Sequence, residues 1–275
     1  MNTFIRRAEE QDIPVLCKIW KDCFHDSEDY IRLFYKENFE RIDVIVNTVD
    51  GKAVSMVNII DCLFVSGKEE YKAKYIYAAG TDPCFRNKGC FTELIEYVIC
   101  SAKQNGTVLF LKPSNAGLIP FYEKSGFKID SYFRLLTVYP GEKQPLSLTP
   151  LAPEEYNRMR NTAFSSRSYV KWDNRHLRWC IKENEYFSGK TLSVNLNGKD
   201  YFIMAYPDSG ALVINETNLS PEQLKQLGGA LCDMFKTKLI KAYLPDFSCN
   251  EGEKIVSSAV YNSPLNNTYV NLILI

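Results

Sequence analysis

The sequence predicts an α/β (α+β) fold built as two successive domains, and three observations predict it. The chain has 275 residues, and at roughly 100–200 residues per domain that length asks for about two. Apolar spacing switches between the period of a strand and that of an amphipathic helix all along the chain. A polar, turn-forming stretch, Pro140-Gly141-Glu142-Lys143-Gln144-Pro145, interrupts the pattern once, and the same kinds of element return after it. The expected domains are therefore residues 1–140 and 146–275.

The first half reads in order as follows. Residues 3–7 alternate as a strand, and Asp12 precedes Ile13, Leu16, Ile19, Trp20 and Cys23 at helical spacing, as a helix-starting residue does. Ser27 is the expected N-cap of a second helix that turns Ile31, Phe34 and Tyr35 inward. Residues 43–49 and 52–60 form a hairpin around Asp50-Gly51, a pair that tolerates the positive φ angles of such a turn. A strand follows at 71–81. Residues 89–104 form a helix with Phe91, Leu94, Ile95, Val98, Ile99 and Ala102 on one face, stopped by Asn105-Gly106. A short strand at 108–111, a short helix at 118–125 closed by Gly126, and a strand at 127–139 complete this half.

The second half repeats that order. A strand at 146–149 leads to helices at 154–164 and 174–184, then strands at 191–196, 199–206 and 211–217, the first two joined by Asn197-Gly198. Ser220-Pro221-Glu222-Gln223 is a capping box with proline at the first helical position, and Leu224, Leu227, Leu231 and Phe235 mark the buried face of its helix. Strands at 239–244 and 268–275 end the chain. Each half is strand, two helices, three strands, helix, strand: a repeat of architecture offset by roughly 140 residues, without an obvious repeat of sequence.

Composition excludes several classes of function. With 45% hydrophobic residues and 33 basic against 33 acidic side chains, the chain is neither disordered nor low in complexity. A net charge of zero without long like-charge runs gives no electrostatic footprint for nucleic acid or anionic lipid. Nine scattered cysteines, with no Cys-x-x-Cys and no histidine at ligand spacing, point to free thiols in a reducing cytoplasm and to no metal site. His25 and His176, the two histidines, offer little to a Ser-His-Asp triad. The N-terminus lacks the apolar core of a signal peptide, and no apolar stretch is long enough for a bilayer, so no membrane partner is expected.

Chemistry concentrates in two places. In Tyr75-Ile76-Tyr77-Ala78-Ala79-Gly80-Thr81-Asp82-Pro83-Cys84-Phe85-Arg86-Asn87-Lys88-Gly89-Cys90-Phe91 a strand enters a basic loop that opens directly onto a helix. Free N–H groups and the positive end of the helix dipole suit a phosphate or pyrophosphate there, and Gly89 lets the backbone approach it. The small residues Ala78, Ala79 and Gly80 suggest a strand end that splays from its neighbour. The same loop also fits a plain strand-to-helix turn with solvated basic residues. In the second place Asn115 lies where strand gives way to helix and Tyr122 follows seven residues later, either as a proton donor or as a packed aromatic.

Together these elements resemble the GNAT superfamily of acyl-CoA-dependent N-acyltransferases. Its pyrophosphate motif, Arg/Gln-x-x-Gly-x-Gly/Ala, is matched by Arg86 and Gly89, with Phe91 standing where a small residue is usual. Its later motif is matched by Asn115, Tyr122, Gly126 and Phe127. The resemblance covers residues 1 to about 140 and implies a mixed sheet flanked by helices, followed by a second GNAT-like domain. It implies acetyl-CoA as acyl donor, with main-chain groups of Ala79, Gly80 and Thr81 pairing with the pantetheine arm. Amides of Arg86, Asn87, Lys88, Gly89, Cys90 and Phe91 would hold the pyrophosphate, Asn115 would touch the cofactor arm, and Tyr122 would protonate the departing thiolate.

The implied reaction is direct attack by the primary amine of a small molecule. The amine must lose a proton to attack, and because residues 75–81 hold no carboxylate, a water chain is the expected base. Asp26, Glu28 and Asp29 are candidates to attract a cationic acceptor. In the second half Asn215-Glu216-Thr217-Asn218-Leu219-Ser220-Pro221 replaces the pyrophosphate motif, and Glu216 is expected to repel phosphate, so that half reads as degenerate. The tandem also resembles the first two domains of enhanced-intracellular-survival type aminoglycoside acetyltransferases, in which a chain-terminal carboxylate can act as base; that raises Ile275. Trp172, Arg175, His176 and Trp179 fit one helical face, either lining an acceptor cleft or packing a core, with the core reading favoured. Two other functions remain open at this point: a non-catalytic acyl-CoA-binding or interaction module, and an aminoacyl transferase using charged tRNA, against which the zero net charge stands.

Overall fold

A computed structural model describes residues 2–142 and 146–271. Lys143, Gln144 and Pro145, part of the expected domain boundary, and residues 272–275, which include Ile275, lie outside the described residues. In chain order the elements are β1 (Thr3–Arg7), α1 (Ile13–Phe24), α2 (Glu28–Asn38), β2 (Asp43–Val49), β3 (Lys52–Ser66), β4 (Glu69–Thr81), α3 (Cys90–Gln104), β5 (Val108–Leu111), α4 (Ile119–Lys124) and β6 (Lys128–Val138). They continue with β7 (Leu148–Pro150), α5 (Pro153–Phe164), β8 (Tyr169–Lys171), α6 (Asn174–Tyr186), β9 (Lys190–Leu196), β10 (Lys199–Asp208), β11 (Ala211–Thr217), α7 (Pro221–Phe235), β12 (Leu239–Pro245) and β13 (Glu253–Tyr261). This is a mixed α/β fold.

Two compact units divide the chain, and both are discontinuous in sequence. The first comprises Met1–Leu63, Tyr71–Ile129 and Ala259–Pro264. Its strands follow the order β1-β2-β3-β4-β5, completed by the end of β13. The sheet is mixed: β1/β2 and β2/β3 are antiparallel, β4/β5 parallel, and β5 pairs antiparallel with Ala259, Val260 and Tyr261 of β13. Asp50 (φ 48) and Gly51 (φ 83) form the expected hairpin turn, both in the left-handed region that matches the twist of the flanking strands. The second strand of that hairpin is longer than expected, running past residue 60 to Ser66.

Alternation along β4 gives this sheet two covered faces. Tyr75 and Tyr77 join an aromatic layer in which the Trp20 ring lies 4.9 Å from Phe34 and 5.3 Å from Tyr77, and Tyr75 stacks on Phe110 at 5.1 Å. Ile76, on the opposite face, packs with Leu94, Val98 and Ala102 of α3. Ser27 caps α2 as expected, accepting the Tyr30 N–H. Asp12 does not cap α1. Its carboxylate instead takes two Arg6 guanidinium nitrogens at 2.6 and 2.9 Å and the Glu9 N–H at 2.8 Å, because a 3-10 turn at Glu10–Asp12 runs into the helix without a break.

The second unit comprises Phe64–Glu70, Asp130–Ser258 and Leu265–Ile275. From the start of β13 its strands run β6-β12-β11-β10-β9-β7, with β11/β12 parallel and β6/β12, β9/β10 and β10/β11 antiparallel. Leu224, Leu227 and Leu231 of α7 close over Ile203, Leu212, Ile214 and Ile240, the face expected from their spacing. One expected strand is corrected: of residues 268–275, the described part makes only an isolated bridge, Tyr169 to Tyr269. β13 was not expected, and the reason is visible in Ser257 and Ser258. Both are buried, their hydroxyls bonded to the Val270 carbonyl and to Ser131, so polar residues sit where a periodic apolar signal would have been.

Candidate functional site

In the first unit β4 and β5 pair only from Ala73↔Val108 to Ile76↔Leu111, where β5 ends. β4 continues alone on that side through Thr81. At Ala78 its backbone turns left-handed (φ 45), a kink that breaks regular pairing. Past the kink Gly80 lies against α1: a Cβ there would stand 2.9 Å from Cys23 Sγ and 3.6 Å from Ile19 Cγ2, so the close approach requires glycine. Thr81 is fixed through its hydroxyl to Ser55 at 2.9 Å. Its carbonyl accepts from Arg86 Nε at 3.3 Å and from the Cys23 thiol at 3.4 Å. The Thr81 carbonyl is thus already engaged.

The loop after β4 is held by Asp82. Its carboxylate accepts the Cys84 N–H at 2.9 Å and pairs with Lys18 at 3.2 Å, and the Cys84 bond, with Lys18, keeps its pKa below the usual carboxylate range despite partial burial. Asn87 (φ 60) and Gly89 (φ 83) are both left-handed, turn geometry in which successive N–H groups form an anion-binding concavity. Gly89 is the N-cap of α3, and no side chain caps the helix. A Cβ at Gly89 would meet nothing within 4 Å. The first-turn N–H groups, which a helix leaves without carbonyl partners, thus have no side-chain cap, and the space beside Gly89 is open.

Two side chains anchor this helix end. Asn47, fully buried in β2, reaches its first turn. Cys90 packs on Val49 and Val54. Phe91, where the family motif usually has a small residue, has a half-buried ring 5.6 Å from that of Phe121 and packs on the core cluster. Lys88 sits over the Phe85 ring at 5.0 Å.

Tyr122 is 7% exposed. It shares a core cluster with Leu94, Val98 and Leu111, against which Ala79, Phe91 and Phe121 also pack. Its hydroxyl has no hydrogen-bond partner among the described residues, and burial pushes the phenol up to about 12. Asn115 is exposed and extended (φ −156, ψ 162) at the start of a 3-10 turn leading to α4, with Ser114 as its side-chain partner at 3.4 Å. The structure thus brings Ala79, Phe91 and Tyr122 into one cluster, while Asn115 is exposed in the turn before α4.

Two of the three acidic residues expected to attract an acceptor, Asp26 and Glu28, are engaged locally. Asp26 accepts the Trp20 indole N–H at 2.7 Å, and Glu28 pairs with Arg32 at 2.6 Å and Lys21 at 3.7 Å. Cys23 and Asn47 were not singled out from the sequence. Asn47 carried a usable signal, a polar residue in the apolar strand Val44-Ile45-Val46-Asn47-Thr48-Val49.

The corresponding strand-to-helix junction of the second unit is closed. Ser220 accepts the Gln223 N–H and Gln223 accepts the Ser220 N–H, and Pro221 has no N–H to offer. Glu216 does not act as expected. It is fully buried, bonded to Arg160 at 2.9 Å, to the Tyr156 hydroxyl at 2.6 Å and to the Tyr269 hydroxyl at 3.2 Å, so its charge is neutralised inside and repels nothing at the helix end. Trp172, His176 and Trp179 are buried, with Trp172 stacked on His176 at 4.0 Å, whereas Arg175 is exposed beside Asp173. The first three are core residues. All nine cysteines are free thiols. Among the described residues no group of three His, Cys, Asp or Glu is placed to hold a metal ion, and no helix is long and apolar enough to cross a membrane.

Residues 4–129 match the family described as an acetyltransferase (GNAT) domain. An uncharacterized N-acetyltransferase of Methanocaldococcus jannaschii is 31% identical over 110 residues, 38% of this chain and 48% of the relative, so the match spans about half of that protein's length. A conserved protein of unknown function from Enterococcus faecalis V583 has a similar fold over 94% of this chain and 72% of its own, with TM-score 0.73 and 11% identity. A GCN5-related N-acetyltransferase from Kribbella flavida does so over 94% and 70%, with TM-score 0.70 and 13% identity. At such identities the last two likenesses concern the fold alone. Residues 4–129, a little under half of the chain, thus match the GNAT acetyltransferase family.

Proposed function

We propose that the chain is an acetyl-CoA-dependent N-acetyltransferase that acetylates the primary amine of a small molecule by direct attack. One observation carries the reading: α3 opens at Gly89 without a capping side chain, onto open space, beside a stretch of β4 that β5 does not pair. Those features fit acetyl-CoA, whose pyrophosphate suits the first-turn amides and whose extended arm suits an unpaired strand edge. Bound there, acetyl-CoA supplies the activated thioester carbonyl. The first unit is in this reading the catalytic domain and the second a degenerate partner, working in the cytoplasm, where nine free thiols persist.

The residues divide the work. Amides from Arg86 to Phe91 bind the diphosphate, Ala79, Gly80 and Thr81 offer main-chain groups to the arm, and Asn115 touches it. Tyr122 keeps its proton throughout the neutral range, its pKa being about 12, and its unbonded hydroxyl donates that proton to the departing sulfur. Water takes a proton from the substrate ammonium, so that the free amine attacks the thioester carbonyl, since residues 75–81 carry no Asp or Glu.

Calorimetric titration with acetyl-CoA, desulfo-CoA and adenosine bisphosphate, followed by thiol release across a panel of primary amines, tests this. One saturable site per chain with amine-dependent thiol release is the expected result. Absence of acetyl-CoA binding overturns the reading, and binding without turnover of any amine overturns the catalytic part.

A further inference from the structure

The second unit holds a polar cavity of about 640 Å³ whose lining residues all belong to that unit and which the transferase reading leaves without a role. Two cations stand in its wall. The Arg167 guanidinium lies 5.0 Å from the centre of the Phe247 ring, and the Lys254 ammonium lies 4.1 Å from that of Tyr132. A ring beneath a cation fixes its position without using its N–H donors. The wall also contains one carboxylate, Asp246, which is shared between Arg134 at 2.5 Å and Lys254 at 3.1 Å. Arg167 has no carboxylate partner among the described residues, so the wall carries a surplus of positive charge.

The remaining lining is polar and held in place. Four serines and two asparagines contribute to it. Asp130, buried beneath, accepts the N–H groups of Asn267 and Thr268 at 3.0 and 2.9 Å and so pins the segment that carries both asparagines. On other sides Ser131 is bonded to Ser258 at 2.9 Å and Ser168 to Ser66 at 3.0 Å. Hydroxyl and amide groups arranged around the unpaired Arg167 and the Lys254 ammonium, which has N–H donors beyond the one facing Asp246, match a ligand with hydroxyls of its own and a negative charge.

We propose that this cavity binds a small hydroxylated anion through Arg167 and Lys254, its charged group being a phosphate ester or a carboxylate. Three probes of one body separate the cases: glycerol 3-phosphate, glycerate and glycerol, titrated calorimetrically into the full chain. At least one anion binds saturably with Kd of about 1 mM or tighter, and glycerol does not. Binding of glycerol 3-phosphate alone assigns the phosphate, and binding of glycerate alone assigns the carboxylate.

Arg167→Met weakens binding of the anion about tenfold or more, as expected for loss of a charge-assisted hydrogen bond, and Arg167→Lys recovers part of it. Arg167 is exposed, so the variant's thermal transition stays near that of the parent; Lys254→Met provides an independent second loss. No saturable binding of either anion up to about 20 mM, equal binding of glycerol, or unchanged affinity in both methionine variants overturns the proposal.

Discussion

The side-chain amide of Asn47 donates to the Cys90 carbonyl at 3.0 Å and to the Glu93 carboxylate at 2.9 Å, so one buried strand residue ties down the first turn of α3. Asn47→Leu removes both bonds from a dry site and should cost about 1–3 kcal/mol. It should also weaken acetyl-CoA binding about tenfold by loosening the amides at the helix start. Urea denaturation and calorimetry read the two effects separately, and full affinity in a destabilised variant would dissociate the anchor from the ligand.

Tyr122→Phe keeps the ring that packs against Phe121 and Phe127 and removes only the hydroxyl. The expected result is a kcat about 10²-fold lower with the Kd for acetyl-CoA nearly unchanged. Unchanged turnover would take Tyr122 out of the chemistry.

Gly89→Glu places a carboxylate in front of α3. Space is open there, so the fold survives, at about 1–2 kcal/mol for a left-handed residue with a side chain. On the proposed reading, binding of acetyl-CoA should be lost, because the new charge would sit where the diphosphate is proposed to bind. Titration of a variant shown to be folded by circular dichroism checks it.

Gly80 and Cys23 should be coupled. Gly80→Ala drives a methyl to 2.9 Å from Cys23 Sγ and should destabilise by about 1–3 kcal/mol. Combining it with Cys23→Ala should return at least part of that loss. A double-mutant cycle with strictly additive effects would refute the contact.

Alkaline pH should unfold the protein. Burial raises the phenols of Tyr122 and Tyr206 to about 12 and also raises those of Tyr35, Tyr156 and Tyr269, against about 10 in an unfolded chain. Above pH of about 10 the unfolded chain sheds protons that the native chain keeps, so stability is full below that pH and falls as pH rises toward 12. Tyr122 alone accounts for about 2–3 kcal/mol of this dependence. Melting temperatures from pH 8 to 11 should drop less steeply in Tyr122→Phe than in the parent.

Much of the architecture was legible because its signals are local. The Asp50-Gly51 turn, the Ser27 and Ser220 caps and the apolar face of α3 each follow from a few neighbouring residues, and each is found in the structure. The misreadings come from long-range pairing. Asp12 looked like a cap until Arg6 claimed its carboxylate, Glu216 looked exposed until Arg160 and two tyrosines enclosed it, and β13 lacked periodicity because its serines find partners far along the chain. At the candidate site the loop and its glycine could be read from spacing. The anchor at Asn47 and the pressure of Cys23 on Gly80 depend on residues 43 and 57 positions away, which no local window contains.

The antiparallel contact of Ala259, Val260 and Tyr261 with β5 has a consequence for biosynthesis. When residues 1–129 have left the ribosome, β5 still has a bare edge whose four residues are all buried in the finished molecule. About 130 further residues must be translated before the segment that covers it emerges, and at about 5–20 residues per second that takes several seconds or more. During that interval the nascent chain exposes an adhesive strand. A protein expressed as its first half alone would never leave that condition, and aggregation of such a truncated product would reflect the missing strand rather than a fault in its own packing.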